Sequence, residues 1–372
     1  MLRSIFTALL TVVALVLLVA PASAKQPSGA VVFSKVEAAP AHTEESGEAS
    51  PPQLEGGLYA ARNGRLNQLT ENPADSQPSF SGDGRAIAFV RDGDIYSMRA
   101  DGSGQHALTS GSDLDEHPHV APNGRYVVFE RRSGEGAPRD LYTVRIGGGG
   151  VHALTLTPED EHEAAFAPDG RAIVFVRSSA EAGGGTSDDL YSVRPSGAGL
   201  AQLTHSARID EFSPRYFRGG IVFSRGQSGG GPDAYADVFT MRRDGSRARE
   251  LIAGAGSAFV EDVTPDGSLL LFRRDQGLWV KRLGRGRARK LTEVADNSAT
   301  NAVFSSDGRR IAAFVATDEA ESLSAVDVSS GRRAELAQGF SLESGSVATT
   351  IGPVMAWQPV RRQQPKHRRH HR

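Results

Sequence analysis

FSGDGRAIAFV, at residues 80–90, is the first full copy of a pattern that returns through most of the chain. DIYSMR follows it at residues 94–99, and HALT follows at residues 106–109. The same order returns as APNGRYVVF, DLYTVR and HALT at residues 121–129, 140–145 and 152–155. The Asp-Gly and Asn-Gly pairs are typical of a tight turn between antiparallel strands, because both residues tolerate a left-handed backbone. Each copy therefore predicts short strands joined by hairpins.

The repeat has a period of roughly 40–50 residues, which is the length of a β-propeller blade. Helical repeats need amphipathic runs of about ten or more residues at 3.6-residue spacing, and the repeated region contains none. The sequence therefore predicts an all-β propeller of four-stranded antiparallel blades. Six copies are marked by the turn glycines Gly84, Gly124, Gly170, Gly220, Gly267 and Gly308.

The two ends of the repeated region supply the parts of one more blade. Residues 354–359 resemble a first strand without its blade, and residues 30–34, 57–60 and 66–70 resemble second, third and fourth strands without a first. Pairing the two ends would close the ring and leave no open sheet edge. We therefore predict seven blades closed between the N- and C-terminal strands. Six blades is the alternative, if residues 31–33 are only a linker.

Large aromatic rings recur at one position of the predicted third strands. A ring at this position can fill the space between adjacent blades, so we expect these residues to belong to the core. The sixth copy places Ser324 there, which predicts a looser third strand in that blade. The rings are Tyr96, Tyr142, Tyr191, Phe239 and Trp279.

These motifs together resemble the TolB-type propeller repeat, a WD40-like repeat that is also similar to the propellers of prolyl oligopeptidases and oligogalacturonate lyases. The resemblance rests on the Pro-Asp-Gly-Arg turns, the Asp-Leu-Tyr strands and the Gln-Leu-Thr ends, and it covers essentially residues 30–360. It implies binding, scaffolding or substrate-gating roles more often than chemistry. Because the repeated residues are those that build blades, the resemblance is specific for fold rather than for function.

The composition agrees with one large exported β domain. The chain has 372 residues, 39% of them hydrophobic, and its net charge of −2 gives no preference for nucleic acid. It contains no cysteine, so neither a lipoprotein attachment site nor a disulfide framework is available. We expect a monomer.

Three segments lie outside the predicted blades. Residues 1–24 read as a cleaved signal peptide, with Arg3, an apolar run and a small-residue cleavage site, so we expect an extracytoplasmic protein without a membrane span. That location is the periplasm, the cell envelope or the exterior. The propeller then occupies residues 25–360, with a flexible insertion at residues 37–53. The basic tail Arg361–Arg372 is expected to be disordered, either merely solvated or attracted to anionic envelope polymers or lipids.

The segment before each first strand carries the variation that the repeat does not explain. Acidic residues and histidines recur there, and equivalent positions of successive blades surround one axis. We therefore expect these side chains to converge at one mouth of the central channel. The alternative is that each acid caps its own loop or pairs with a neighbouring arginine. The candidate binding residues are Glu116, His117, His119, Glu161, His162, Asp210, Glu211, Glu261 and Asp262.

Such a ring has the donor types that bind a divalent cation. His117 and His119 are two residues apart and would share a face of a regular strand, which makes them the best metal candidates, followed by His162. No other cofactor is expected. The motifs of serine hydrolases, zinc proteases and phosphate-binding loops are missing from the sequence, which gives no candidate catalytic residue.

Three functions remain open from the sequence. The first is a non-catalytic, secreted TolB-like propeller that binds a protein or glycan partner through its loops and channel mouth. The second is a metal-dependent enzyme resembling oligogalacturonate lyase; the acidic character of the recurrent residues argues against it, because a uronate substrate needs basic groups. The third is an envelope scaffold held by the basic tail.

Overall fold

The computed structural model describes residues 29–38, 54–62, 64–180, 185–227, 235–252, 254, 256–284, 286–294, 302–316, 321–340 and 350–357. Within these ranges the structure is built of strands and turns, with no helix. The strands form seven separate four-stranded antiparallel sheets, which are the blades of a propeller.

The first three complete blades follow the chain in order. Blade 1 contains β4 (Ser76–Phe80), β5 (Ala86–Arg91), β6 (Asp94–Arg99) and β7 (His106–Ala107). Blade 2 contains β8 (Leu114–Val120), β9 (Tyr126–Arg132), β10 (Asp140–Arg145) and β11 (His152–Ala153). Blade 3 contains β12 (Asp160–Phe166), β13 (Ile173–Ala180), β14 (Thr186–Val193) and β15 (Ala201–Gln202).

The next three blades have the same strand order. Blade 4 contains β16 (Ile209–Phe217), β17 (Gly220–Gln227), β18 (Ala236–Met241) and β19 (Arg249–Ile252). Blade 5 contains β20 (Ala258–Val263), β21 (Leu269–Arg274), β22 (Gly277–Arg282) and β23 (Arg289–Glu293). Blade 6 contains β24 (Val303–Phe304), β25 (Arg310–Ala316), β26 (Glu321–Asp327) and β27 (Arg333–Phe340).

Blade 7 closes the ring with strands from both ends of the chain. Its order is β28 (Thr350–Trp357), β1 (Val31–Ala38), β2 (Leu54–Arg62) and β3 (Arg65–Gln68). β28 runs antiparallel to β1, with Trp357 opposite Val31 and Thr350 opposite Val36. The prediction of seven blades with terminal closure is confirmed, and the six-blade alternative is wrong because residues 31–33 pair as a strand.

The core is divided among the spaces between neighbouring blades. In six blades a buried phenylalanine of the second strand lies opposite a ring of the third strand, as Phe129 does opposite Tyr142 at 5.9 Å between centroids. Blade 6 departs from this pattern, since Phe314 faces Leu323 and not Ser324. The placement of Ser324 at the ring position is wrong, because Leu323 occupies that position and is fully buried; a looser third strand in this blade stays a prediction.

The Leu-Thr ending of four blades has a structural role. Its threonine hydroxyl accepts a hydrogen bond from a backbone N–H at the third strand, as in Leu141 N to Thr155 Oγ1 at 2.9 Å. These hydroxyls are buried and satisfy a donor that the short fourth strand leaves unpaired. The other three threonines are Thr70, Thr109 and Thr204.

The first strand of each blade lies beside the first strands of both neighbouring blades, so these seven strands surround the central axis. The predicted insertion at 37–53 starts later than expected, because β1 continues through Ala38; residues 39–53 lie outside the described residues. The predicted signal peptide and basic tail also lie outside them. Among the described residues, none forms a helix of the length and apolarity that a membrane span requires.

Candidate functional site at the channel mouth

The first strands of blades 1 to 4 are each interrupted by a β-bulge. The register of β8 against β9 shifts between Glu116 and His119, and His117 within this bulge has a φ of 50°. A bulge bends its strand and redirects a side chain, and bulges are common next to functional sites. The central residues, all with positive φ, are Gln77, His117, Glu163 and Ser213.

Hydrogen bonds connect these bulges from one blade to the next. Gln77 Oε1 accepts from the His117 N–H at 2.5 Å, which joins blades 1 and 2. Glu130 Oε1 of β9 accepts from the Glu163 N–H at 2.7 Å, which joins blades 2 and 3. Glu163 Oε2 accepts from the Ser213 N–H at 2.5 Å, which joins blades 3 and 4. We call these five residues the bulge network; it fixes four first strands relative to one another.

Glu130 is the charged centre of the bulge network. Its side chain is 2% exposed and its Oε2 lies 3.0 Å from His117 Nδ1 and 3.2 Å from an Arg139 guanidinium nitrogen. The hydrogen bond to Glu130 raises the pKa of His117, with burial acting against it. Arg139 also forms an ion pair with Asp160 at 2.6 Å. His117 is therefore favoured as a cation held against a buried carboxylate, while its ring stays 46% exposed.

Each of blades 1 to 4 contains one buried acid–arginine pair. The acid lies near the start of the first strand, is fully buried, and bonds an arginine of the second strand. The guanidinium also lies over the aromatic pair of its blade, as Arg177 does over Tyr191 at 4.4 Å from the ring centroid. The pairs are Asp75–Arg91, Asp115–Arg131, Glu161–Arg177 and Glu211–Arg225.

Glu161 and Glu211, two of the candidate binding residues, belong to these pairs. Burial raises the pKa of both, that of Glu211 to about 7, and the neighbouring arginines oppose the shift. Their carboxylates are covered by protein, so they hold the blade together instead of lining the mouth. Pairing with a neighbouring arginine is what the alternative interpretation predicted for the recurrent acids.

Three other candidates also bond to protein groups. Glu116 forms an ion pair with Arg132 of its own blade at 2.6 Å, and both side chains are partly exposed. His162 Nε2 lies 3.4 Å from Ser178 Oγ of its own blade, whereas Asp210 Oδ1 of blade 4 accepts from the Asp188 N–H of blade 3 at 3.1 Å. These side chains therefore do not converge on one ligand position.

The residues that follow the bulges lie deeper along the channel axis. The positive charge of Arg215 in blade 4 affects the pKa of His119 in blade 2 and that of Asp262 in blade 5. Burial, together with Arg215, lowers the pKa of His119 to about 4. Burial raises the pKa of Asp262, while its bond from the Phe304 N–H at 2.8 Å opposes the shift. The interior thus holds a neutral imidazole near a guanidinium and a carboxylate.

In blade 5 the charges of the bulge residue and of the second-strand residue are the reverse of those in blade 2. Glu261 lies in the register shift of β20 and its Oε1 is 3.4 Å from Arg273 Nε. Its Oε2 accepts from the Ala302 N–H at 3.0 Å, which joins blades 5 and 6. In blade 2 the bulge is the cation and the second strand carries the acid, so the mouth contains charges of both signs.

The predicted metal donors are not gathered by the fold. The expectation that His117 and His119 share a face is wrong, because the bulge at His117 breaks the alternation of the strand. Glu130 binds His117, His119 lies deeper, and His162 faces Ser178. In the ranges that the structure describes, no three histidine or carboxylate side chains are placed to share an ion. A divalent cation stays a prediction.

Several residues of the site were missed from the sequence. Gln77, Glu130, Arg139 and Arg215 lie outside the acidic and histidine motif that marked the candidates. The recurrent residues before the first strands are acidic, yet arginines also reach the mouth, namely Arg132 at the end of β9 and Arg139 just before β10. The sequence pattern marks a different set of arginines, because the arginine two residues after the second-strand phenylalanine in blades 1 to 4 pairs with the buried acid of its blade.

The two histidines should make opposite contributions to the pH dependence of stability. The His117 pKa is raised in the folded state, so its contribution is present below pH 6.5 and is lost as the pH rises through the folded value. The His119 pKa is about 4, so acidification from pH 6.5 to 4 costs about 1.4 kcal/mol per unit at most. His117→Gln should therefore destabilise more at pH 5 than at pH 8, and His119→Gln less.

Urea unfolding of both variants and the wild type at these two pH values measures the effect. Gln keeps a polar side chain that does not titrate, so each variant is the control for the other. Free-energy differences that change with pH in the same direction for both variants would contradict the assignment.

Comparisons with known proteins place the fold. The chain matches no protein-family model and no curated protein. Among solved structures it is similar to an oligogalacturonate lyase in complex with manganese, at 13% identity and a TM-score of 0.59, over 73% of this chain and 84% of that one. It is similar to TolB from Acinetobacter baumannii at 14% identity and a TM-score of 0.52, over 88% and 82% of the two chains.

A third similar structure is the β-propeller domain of the Trilobed protease from Pyrococcus furiosus. The identity is 10% and the TM-score 0.60, over 83% of this chain and 92% of that one. Likeness at these identities carries the fold and not the activity. The chain is thus a seven-bladed β-propeller whose structural neighbours include TolB, an oligogalacturonate lyase and a protease propeller domain.

Proposed function

We propose that the protein is a non-catalytic, exported propeller that binds a protein or glycan partner at its channel mouth. The bulge network carries this proposal. It holds polar side chains from blades 1 to 3 in fixed positions against backbone N–H groups of blades 2 to 4, with His117 half-exposed among them. Polar groups that are already ordered bind a partner with little further loss of conformational entropy. Export is proposed from the signal-peptide pattern of residues 1–24.

The charges at the mouth support recognition of a polar partner. Glu116 and Arg132 are 26% and 31% exposed and form an ion pair; Glu116 precedes His117 in β8, and Arg132 lies opposite Leu114 at the end of β9. Together they present an acceptor and two cationic donors, a set suited to hydroxyl or amide groups of a glycan or a protein loop. The raised pKa of His117 favours the donor form over a general base.

A mouth variant and a matched variant from the other end of the ring test this proposal. The mouth variant is His117→Ala with Arg132→Ala, and the control is Arg125→Ala with Arg171→Ala, at two exposed hairpin turns. Each protein is immobilised and exposed to solubilised native envelope, and recovered proteins and glycans are identified. We expect the wild type and the control to enrich the same partner at least about tenfold over the mouth variant.

Equal recovery by the mouth variant would place the contact elsewhere on the ring. Recovery of nothing above background by the wild type would contradict partner binding in the envelope. A chain ending at residue 360 added to the same experiment separates contacts of the basic tail, which the scaffold alternative requires, from those of the mouth.

A metal-dependent lyase is the second candidate. One similar structure is an oligogalacturonate lyase in complex with manganese, and the mouth carries arginines as well as acids, although Arg132 and Arg139 are both paired with carboxylates of the protein. The discriminating measurement is the metal content of the purified protein together with uronate-oligomer cleavage, followed by ultraviolet absorbance of the unsaturated product. Stoichiometric metal that is lost in His119→Ala, together with cleavage, would favour the lyase. If the protein contains no metal and shows no cleavage, the binding role is favoured.

A further inference from the structure

A cleft of about 600 Å³ lies between blades 5 and 6, away from the channel mouth. It is formed by the segment that joins β22 to β23 and by the hairpin between β24 and β25, together with the turn after β26. First strands begin at the mouth, so these connections lie at the opposite end of the ring. The cleft is therefore independent of the bulge network and of the proposed partner site.

Four arginines line this cleft. Arg282, Arg287 and Arg289 come from blade 5, and Arg309 comes from the hairpin of blade 6. None of the four forms an ion pair with a described residue, and within the described part of the chain their side chains donate one hydrogen bond, from Arg289 to the Val328 carbonyl. Elsewhere in the ring, arginines such as Arg131 are neutralised by buried acids. The cleft thus keeps its positive charge.

Asp327, the one acid among the described residues that line the cleft, already accepts hydrogen bonds from its own turn. Asp327 Oδ1 accepts from the N–H and hydroxyl groups of Ser329 and Ser330, at 2.6–3.0 Å. These bonds lower its pKa to about 2. Its single negative charge leaves the four guanidinium groups in excess. A concave surface lined mainly by one sign of charge concentrates the field and attracts counter-charged ligands.

We propose that this cleft binds a phosphate ester. Arginines of two adjacent blades line it, and each guanidinium offers a fork of N–H donors. A carboxylate has two oxygens and fits one such fork, whereas a phosphate monoester has three terminal oxygens and can engage several arginines together. Leu269, Val280 and Val328 line the remainder of the cleft and suit the organic part of the ester. The volume fits a ligand of sugar-phosphate size.

Calorimetric titration with glucose 6-phosphate, inorganic phosphate and glucose tests the site. We expect the two phosphates to bind, glucose not to bind, and affinity to fall as salt rises. Arg282→Gln with Arg309→Gln should weaken glucose 6-phosphate binding at least about tenfold, because two charge-assisted contacts are lost. Arg289 is left intact because it bonds the Val328 carbonyl.

The matched control uses the same two positions between blades 1 and 2, three blades away around the ring. Arg99 ends β6 as Arg282 ends β22, and Arg125 follows the blade 2 hairpin as Arg309 follows that of blade 6. Arg99→Gln with Arg125→Gln removes the same charge, so it should leave the affinity within about twofold if the cleft is specific. Thermal unfolding of both double variants confirms that each is folded.

Vesicle flotation distinguishes a soluble ester from a lipid headgroup. Binding of glucose 6-phosphate identifies a soluble ligand class; retention on vesicles that contain phosphatidic acid, a phosphate monoester, but not on phosphatidylcholine vesicles, lost only in the Arg282/Arg309 variant, identifies a headgroup. Equal losses in the two double variants would overturn the proposal in favour of general electrostatic attraction. So would a wild type that binds neither probe at low salt.

Discussion

A chain that ends at residue 349 is expected to lose the stability of the closed ring. It lacks β28, whose residues pair with β1 from Val31 to Val36. About five ladder hydrogen bonds at roughly 1 kcal/mol each are lost, giving a decrease in the free energy of unfolding of roughly 5 kcal/mol. The exposed edge of β1 would also invite association with other chains. Urea unfolding and sedimentation velocity measure both effects.

The matched control is a chain that ends at residue 360, which keeps β28 and removes the basic tail. We expect it to unfold at the same urea concentration as the full chain. Equal unfolding midpoints for the two truncations would show that closure contributes little to this ring.

Glu130→Ala is expected to be the most destabilising single substitution at the channel mouth. It leaves His117 and Arg139 without their shared carboxylate and the Glu163 N–H without its acceptor. Removal of one partner from a buried charge network typically costs about 3–5 kcal/mol, and we expect a loss near the lower value because Arg139 keeps Asp160. Urea unfolding at pH 7 measures it.

Glu130→Gln separates the charge of this residue from its shape. The amide oxygen still accepts from Glu163, so the loss should be about 1–2 kcal/mol. The His117 pKa should fall toward its ordinary value, because the hydrogen bond to the Glu130 carboxylate, the main cause of its elevation, is removed. Histidine titration by NMR reads this directly. A His117 pKa unchanged in Glu130→Gln would contradict the assigned pairing.

The fold was predictable because the repeat specifies it locally. An Asp-Gly turn such as Asp83-Gly84 fixes a hairpin, and a buried phenylalanine such as Phe89 fixes the face of the second strand. Both depend on neighbours in the sequence. Blade 6 shows the limit of such a prediction, because the position equivalent to the third-strand ring is Leu323, one residue before the predicted Ser324. Register depends on a partner strand, so a one-residue shift cannot be seen in the sequence of one strand.

The candidate site was predictable only in part. The acids and histidines before each first strand were identified, yet Glu161 and Glu211 are covered by their arginines and serve the blade. Glu130 was missed because it lies within an apolar second strand and its partners come from other strands and loops. Its role depends on contacts with His117, Arg139 and Glu163, which only the folded ring brings within hydrogen-bond distance.

By itself, the sequence determined the strand content, the blade count and the closure between residues near both termini, because periodic turns and apolar runs act over a few residues. The tertiary structure alone decided which charges meet. The bulge at His117 turns its ring away from the alternation of the strand, and the ring of blades places around one cleft four arginines that form no ion pair with a described residue. Such contacts join residues of different blades, and their distances depend on how the sheets pack.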